Sequence, residues 1–208
     1  MKYPIEFDRI PFFSTEGVRT SFPLLKQASV YQKVKRFLDK RDFFQLKKGL
    51  YMTAPYKRLH ETEQNLKIFI ANHLRYPSYV SGAYALQRYD MMTEMTYPVT
   101  SVTLKSSRTY TNSLGTFMYS SITENLYQGY RTEKYREEKV YIASRAKALF
   151  DFFYFKYAKA KDLPADLREK ERIAVEKLTT QERKEFKMYC KLAHLGILKQ
   201  LPYLLFYA

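Results

Sequence analysis

The chain has 208 residues, of which 46% are hydrophobic, so it fits one or two packed domains and not a disordered segment. Its 36 Lys and Arg against 21 Asp and Glu give a net charge of +15, which favours a polyanionic partner, although lysine-rich surfaces also serve solubility. No apolar run approaches the ~18–20 residues of a bilayer span, and no signal-peptide core follows Met1-Lys2-Tyr3-Pro4. Cys190 is the single cysteine, which fits a reducing compartment. We therefore expect a cytoplasmic protein with no membrane partner.

The first predicted elements are two helices separated by a proline. Ser14 is a typical helix cap, and Pro23 ends the short helix that follows it. A second helix is predicted over residues 29–40, because its apolar residues recur at helical spacing. Those residues are Val30, Val34, Phe37 and Leu38. The order of a short helix, a turn and a longer basic helix is that of a helix-turn-helix.

A hairpin is predicted directly after the basic helix. Residues 44–46 and 50–52 alternate as two strands, and Gly49 allows the turn conformation between them. Together with the two helices, this pattern predicts an N-terminal winged helix-turn-helix domain. The residues predicted to contact DNA lie on the outer face of the second helix, at its end and at the hairpin: Tyr31, Gln32, Lys33, Lys35, Arg36, Lys40, Lys47 and Lys48.

The rest of the chain predicts a second domain. Pro55 is expected to close the hairpin and residues 56–58 to form a hinge, which divides the chain into domains 1–56 and 59–208. Helices are predicted over 61–74, from Ser81 to about Tyr89, over 143–157, and after Thr179 or Thr180. Strands are predicted over 99–104, 116–122 and 139–142. The predicted fold class is therefore α+β, with a winged helix followed by a mixed α/β domain.

The sequence offers little support for catalysis. His60, His73 and His194 have no neighbours at metal-ligand or triad spacing. The glutamates of residues 137–138 and 169–171 lie among Lys and Arg, which is typical of solvated faces. No glycine-rich phosphate loop and no Asp-x-Asp pair for two metals is present. We therefore expect no enzymatic activity, no metal site and no cofactor.

Several short motifs, taken in order, carry a family resemblance. They are Arg36-Phe37-Leu38, then residues 46–51 (Leu-Lys-Lys-Gly-Leu-Tyr), 79–86 (Tyr-Val-Ser-Gly-Ala-Tyr-Ala-Leu), 114–117 (Leu-Gly-Thr-Phe) and 142–151 (Ile-Ala-Ser-Arg-Ala-Lys-Ala-Leu-Phe-Asp). This series resembles the AbiEi family, the antitoxins of type IV toxin–antitoxin systems that are linked to abortive phage infection. The resemblance covers roughly residues 13–157, and its last motif is the most specific.

The resemblance implies a function for each predicted domain. The winged helix is expected to act as a transcriptional repressor that binds double-stranded DNA at inverted repeats in its own promoter. Domain 59–208 is expected to counteract a nucleotidyltransferase toxin without forming a stable complex with it. We expect a protein that can be monomeric in solution and that pairs on DNA.

Lys147 and Asp151, in the most specific motif, admit two interpretations. Their spacing of four residues predicts an intrahelical ion pair worth about 0.3–0.5 kcal/mol with a packing role. Alternatively, they belong to a basic face used in antitoxicity. The candidate antitoxicity residues are Arg145, Lys147, Asp151, Arg168, Lys170 and Arg172. Arg145 stands where the family more often has an acidic residue.

Two other functions remain open. The chain could be a stand-alone winged-helix transcription regulator whose second domain binds a ligand or a protein. It could also be an RNA-binding module that uses some of its 20 tyrosines. A neighbouring gene for a nucleotidyltransferase would distinguish the antitoxin from the stand-alone regulator.

Overall fold

Helices and strands alternate along the chain, which confirms the predicted α+β class. The computed structural model describes residues 2–63, 65–93 and 98–207. These residues form two units: the first consists of residues 1–67 and 110–116, and the second of residues 68–109 and 117–208. Among the described residues, no helix is both long and apolar enough to cross a membrane.

The first unit places a helical pair beside a small sheet. Its elements are a 3-10 helix (Ile5–Arg9), β1 (Phe13–Ser14), α1 (Thr15–Ser21), α2 (Gln27–Asp39), β2 (Phe43–Lys47), β3 (Leu50–Thr53) and α3 (Ala54–His60). The strands are antiparallel, in the order β1-β3-β2. The predicted cap is confirmed, since the Ser14 side chain accepts a hydrogen bond from the Gly17 amide at 3.0 Å. The two helices and the hairpin lie where the sequence predicts them, within about two residues.

An aromatic cluster forms the core of the first unit. Phe43 is only 1% exposed, and its ring lies 4.8 Å from the rings of both Phe13 and Phe37. Phe7 stacks on Phe13 with a centroid distance of 4.2 Å. Because the rings come from the 3-10 helix, β1, α2 and β2, burial of one aromatic cluster holds these elements together.

The predicted hinge at residues 56–58 is wrong, because these residues lie inside α3. Thr53 begins that helix: its hydroxyl accepts a hydrogen bond from the Tyr56 amide at 3.2 Å. Pro55 occupies the first turn, where a missing N–H costs nothing. The predicted boundary between domains 1–56 and 59–208 therefore falls in a helix, whereas the two units divide between Lys67 and Ile68.

A mixed six-stranded sheet organises the remaining elements. These are α4 (Leu66–Leu74), β4 (Ser78–Val80), α5 (Gly82–Arg88), β5 (Val99–Thr103), β6 (Arg108–Asn112), β7 (Gly115–Ser121), β8 (Tyr130–Tyr135), β9 (Glu138–Ala143), α6 (Arg145–Tyr157), α7 (Leu167–Glu171), α8 (Thr180–Leu192) and α9 (Leu201–Phe206), with 3-10 turns at Glu124–Leu126, Val175–Lys177 and Ile197–Gln200. The strand order is β6-β7-β5-β4-β9-β8. Strand β4 pairs parallel with β9 and antiparallel with β5, and β5 pairs parallel with β7.

Three strands of this sheet are not predicted by the sequence pattern: the three-residue β4 inside the sheet, and β6 and β8 at its two edges. β6 and β8 are polar and largely exposed. An edge strand with little buried surface lacks the apolar alternation that signals a strand.

The predicted helix over residues 61–74 also differs from the structure. It begins at Leu66, and residue 64 lies outside the described residues. Asn72 is only 3% exposed. Its amide donates to the Tyr141 carbonyl at 3.3 Å and accepts from the Tyr141 amide at 2.7 Å, so the side chain pairs with the backbone of β9.

Phe43→Ala tests the aromatic core of the first unit. We expect a loss of about 3–5 kcal/mol of unfolding free energy, because the change leaves a cavity among aromatic rings. Leu24→Ala is the control: Leu24 is 98% exposed, and its replacement should change stability by less than about 0.5 kcal/mol. Urea denaturation followed by circular dichroism measures both, and equal stabilities of the two variants would contradict this description of the core.

Candidate functional site

Helix α2 separates an apolar face from a basic one. Val30, Val34 and Phe37 are buried at 1%, 3% and 6% exposure. The other side carries residues that the sequence predicts to contact DNA: Tyr31, 52% exposed, together with the exposed Gln32, Lys35 and Arg36. The burial of three apolar side chains fixes the rotation of α2, and this rotation directs the polar side chains outward.

A recess lies along the exposed side of α2. It has a volume of about 390 Å³ and is lined by Leu25, Ala28, Ser29, Gln32, Lys33 and Arg36. Lys33 is half-buried, with its ammonium 4.3 Å from the centre of the Phe22 ring. The contact positions Lys33 through a cation–π interaction. The structure thus brings together three predicted DNA-contact residues, Gln32, Lys33 and Arg36.

The turn between β2 and β3 carries the other predicted contacts. Gly49 has a φ of +78°, a left-handed conformation that favours glycine. Its carbonyl accepts a hydrogen bond from the Thr15 amide at 3.1 Å, which ties the turn to the start of α1. Lys48 is exposed and Lys47 half-buried, whereas Lys40 is exposed at the C-terminal end of α2. Cations therefore occur both at the end of the helix and at the turn.

In the second unit, Lys147 and Asp151 form the predicted intrahelical ion pair, and because both are 0% exposed they are not part of an exposed basic face. The Lys147 Nζ donates to Asp151 Oδ1 at 2.7 Å. The spacing of four residues correctly predicts the pairing, but it carries no information about depth. The free energy expected for an exposed helical pair does not apply to a buried one, since the cost of removing two charges from water opposes their attraction.

Two further side chains complete the site around Asp151. The Ser81 hydroxyl donates to Asp151 Oδ2 at 2.7 Å, and the Tyr79 hydroxyl donates to the same atom at 3.1 Å. We refer to Tyr79, Ser81, Lys147 and Asp151 as the Asp151 cluster. Ser81, where the sequence predicts a helix to begin, holds the N-cap position of α5, but its side chain makes no capping hydrogen bond. No local sequence signal indicates this role, because the partners are 70 and 72 residues apart.

Burial shifts the pKa values of Tyr79, Lys147 and Asp151, the titratable groups of the Asp151 cluster. Desolvation raises the pKa of Asp151 and lowers the pKa of Lys147, and in each case the partner's charge opposes the shift. Burial also raises the pKa of Tyr79, and the neighbouring Asp151 carboxylate adds to this effect. The cluster is a set of satisfied, buried groups that joins α6 to β4 and to the start of α5.

The remaining candidate antitoxicity residues do not share one surface with Lys147. Arg145 is half-buried, with its guanidinium 5.8 Å from the Tyr89 ring. Arg168 and Lys170 are exposed on α7, and the exposed Arg172 follows that helix. The exposed part of the predicted basic face is therefore limited to α7 and its C-terminal end. A role of these residues in antitoxicity stays a prediction.

The histidines have local structural contacts. His60 Nδ1 lies 2.6 Å from a Glu63 carboxylate oxygen, and His73 Nδ1 donates to the Phe69 carbonyl at 2.9 Å. Within the part of the chain that the structure describes, no group of three or more His, Cys, Asp or Glu could hold a metal ion. No protein-family model and no curated protein sequence matches the chain.

A double-mutant cycle tests the Asp151 cluster. Lys147→Met and Asp151→Asn should each cost about 3–5 kcal/mol, because each leaves a buried charge without its partner. The double variant should cost less than the sum by about 2–3 kcal/mol. Chemical denaturation measures all four proteins, and additive costs would show that the pair is not coupled.

The pH dependence of Lys147→Met provides an independent check. Without the ammonium, only the hydrogen bonds from Ser81 and Tyr79 still oppose the effect of burial on Asp151, so its folded-state pKa lies further above the unfolded value of about 4. A raised carboxyl pKa means that stability is lost as the pH rises. The stability difference between the wild type and the variant should therefore widen from about pH 4 to neutrality, and a constant difference would contradict this.

Proposed function

We propose that the chain is a DNA-binding transcriptional autorepressor and a type IV antitoxin that counteracts a nucleotidyltransferase toxin. The observation that carries the DNA-binding part is the orientation of α2. Its apolar side is buried, its exposed side presents Gln32, Lys35 and Arg36, and the Lys48 turn adds a cation. A basic helix with a basic hairpin is an arrangement that suits a negatively charged duplex.

The connectivity of the first unit supports a winged-helix assignment. The chain forms a short helix, strand β1, helices α1 and α2, and then the β2–β3 hairpin. Strand β1 joins the hairpin by pairing with β3, as a winged helix requires. In this assignment α2 is the recognition helix, and the Lys47-Lys48-Gly49 turn is the tip of the wing.

The proposed mechanism divides the contacts between bases and phosphates. With α2 in the major groove, Tyr31, Gln32, Lys33 and Arg36 reach the base edges and give sequence preference. The phosphate contacts come from Lys35, Lys40, Lys47 and Lys48 and give an affinity that depends on salt. Two copies that meet on inverted repeats would double the contact area without requiring a dimer in solution.

The antitoxin part of the proposal depends on the motif resemblance. Residues 146–151, within its most specific motif, are all buried. The motif therefore builds the interior of the second unit, and contact with a toxin, its substrate or its target would use exposed residues. Arg168, Lys170 and Arg172 are the candidates that meet this condition.

A second candidate function is a regulator that responds to a small ligand. The observation that favours it is a recess of about 300 Å³ in the second unit. Its lining includes Ser81, Gly82, Thr100, Ser120, Phe152, Phe155 and Lys156. A recess of this size lies at the lower limit for small-molecule sites. Ligand-dependent operator binding with no effect on any toxin would favour this candidate.

Paired substitutions test the proposed DNA interface. Lys33→Ala with Arg36→Ala should abolish the preference for operator over random duplex, whereas Lys47→Ala with Lys48→Ala should weaken binding to all sequences. Removal of one phosphate-binding cation should reduce the salt slope by about one. Mobility shifts over a range of salt concentrations measure both effects.

Lys159→Ala with Lys161→Ala is the matched control for the mobility shifts. It removes the same number of positive charges from exposed positions in the second unit. Unchanged operator binding by both test variants, or an equally weakened control, would refute the interface.

Separation of function in the full chain tests the antitoxin proposal. We expect Lys33→Ala with Arg36→Ala to lose repression of a promoter reporter and to keep rescuing growth from a cognate toxin expressed from an independent promoter. The triple change of Arg168, Lys170 and Arg172 to Ala should do the reverse. A folded wild-type chain that never rescues growth would contradict the antitoxin role and leave the DNA-binding role intact.

A further inference from the structure

The β8–β9 hairpin presents tyrosines and lysines on a single face. The two strands pair in register, with Tyr130 opposite Ala143, Thr132 opposite Tyr141, and Lys134 opposite Lys139. Alternate residues of a strand point to the same side, and paired residues share that side. The β8–β9 face therefore consists of Tyr130, Thr132, Lys134, Lys139 and Tyr141, together with the buried Ala143. Most of these side chains are exposed, and Tyr141 is half-buried.

Four tyrosines surround a small recess at one end of this face. The recess has a volume of about 110 Å³ and is lined by Tyr76, Pro77, Ser78, Tyr127, Tyr130 and Tyr141. The Tyr130 and Tyr141 rings are nearly perpendicular, at 88°, with centroids 5.8 Å apart. Tyr76 is 68% exposed and Tyr130 39% exposed. Large aromatic surface is thus left in contact with solvent beside a cavity.

The position of Tyr130 is set from within the protein. Its ring stacks on Tyr79 with a centroid distance of 4.9 Å and an interplanar angle of 18°. Tyr79 is held in turn by its hydrogen bond to Asp151. Tyr127 packs against Tyr130 at 5.5 Å. A ring fixed in this way loses little conformational entropy when a planar ligand stacks on it.

The charges beside the recess favour an anionic ligand. Lys134 and Lys139 occupy directly opposed positions and are both exposed, so this face presents two ammonium groups. Lysine on an edge strand also discourages pairing with other chains, but that role does not explain exposed tyrosines next to it. Two exposed ammonium groups on one face suit phosphates and not a cationic ligand.

We propose that the β8–β9 face binds single-stranded nucleic acid. One unpaired base enters the recess and stacks on tyrosine, and the phosphates next to it contact Lys134 and Lys139. Sequence-tolerant binding of single strands commonly combines aromatic stacking with a cationic surface. Bases in a duplex are not available for stacking, so this site is distinct from the proposed duplex interface of α2, and either can fail without the other.

Fluorescence anisotropy with the full chain tests this proposal. The probes are labelled oligouridine and oligothymidine of about 12 nucleotides, within the range of single-strand site sizes. Tyr130→Ala should weaken binding about tenfold, the effect of losing one stacked base. Lys134→Ala with Lys139→Ala should lower the salt slope by about 0.7 for each phosphate that is no longer neutralised.

Matched variants distinguish a loss of binding caused by lost base stacking from a loss caused by unfolding or by a lower net charge. Tyr130→Phe keeps the ring and should bind as the wild type does. Tyr76→Ala removes a mostly exposed ring, so it should weaken binding several-fold even if Tyr130→Ala is found to unfold. Lys159→Ala with Lys161→Ala removes the same charge from exposed positions after α6 and should leave the salt slope unchanged.

The two probes also identify the preferred strand. Equal binding of both supports recognition of base and phosphate alone, and tighter binding of oligouridine supports RNA, with a contribution from the 2′-hydroxyl. The proposal is overturned if neither probe binds at low salt. It is equally overturned if Tyr76→Ala and Tyr130→Ala bind as the wild type does, or if only the α2 variant Lys33→Ala with Arg36→Ala loses binding.

Discussion

The buried carboxylate of Asp151 is the group on which the second unit most depends. One oxygen accepts from Lys147, and the other accepts from both Tyr79 and Ser81. These bonds join α6 to β4 and to the start of α5, which lie about 70 residues earlier in the chain. Because Tyr79 also stacks on Tyr130, the same network fixes a ring on the surface. A buried charge that must be fully satisfied thus determines the geometry of an exposed face.

The 15 Phe and 20 Tyr residues serve different purposes in the two units. In the first unit, phenylalanines around Phe43 form a core that sets the rotation of α2. In the second unit, tyrosines collect beside the β8–β9 hairpin, where a ring can be half-buried while its hydroxyl reaches water.

The sequence predicts best where the signals are local. The Ser14 cap, the periodicity of α2 and Gly49 in the turn give the helical pair and hairpin correctly. The edge strands β6 and β8 escape prediction because they bury little. The complete burial of Lys147 was not predicted for another reason: the spacing of four residues indicates the pairing with Asp151, but burial depends on β4 and α5, which lie about 70 residues away. The candidate DNA-contact residues can be predicted from local periodicity, whereas the Asp151 cluster can be recognised only from the tertiary structure.

Site-directed cleavage of DNA from α2 tests the central claim most directly. Cys190 is buried, and burial raises the pKa of its thiol to about 12, so an iron chelate attached to Gln32→Cys would react at that position selectively. With duplex DNA from upstream of the gene, we predict two clusters of cleavage that are centred on inverted half-sites. The exposed Lys159→Cys, labelled in the same way, should not produce these clusters. Uniform cleavage from Gln32→Cys, or the same pattern from both positions, would contradict the docking of α2 on DNA.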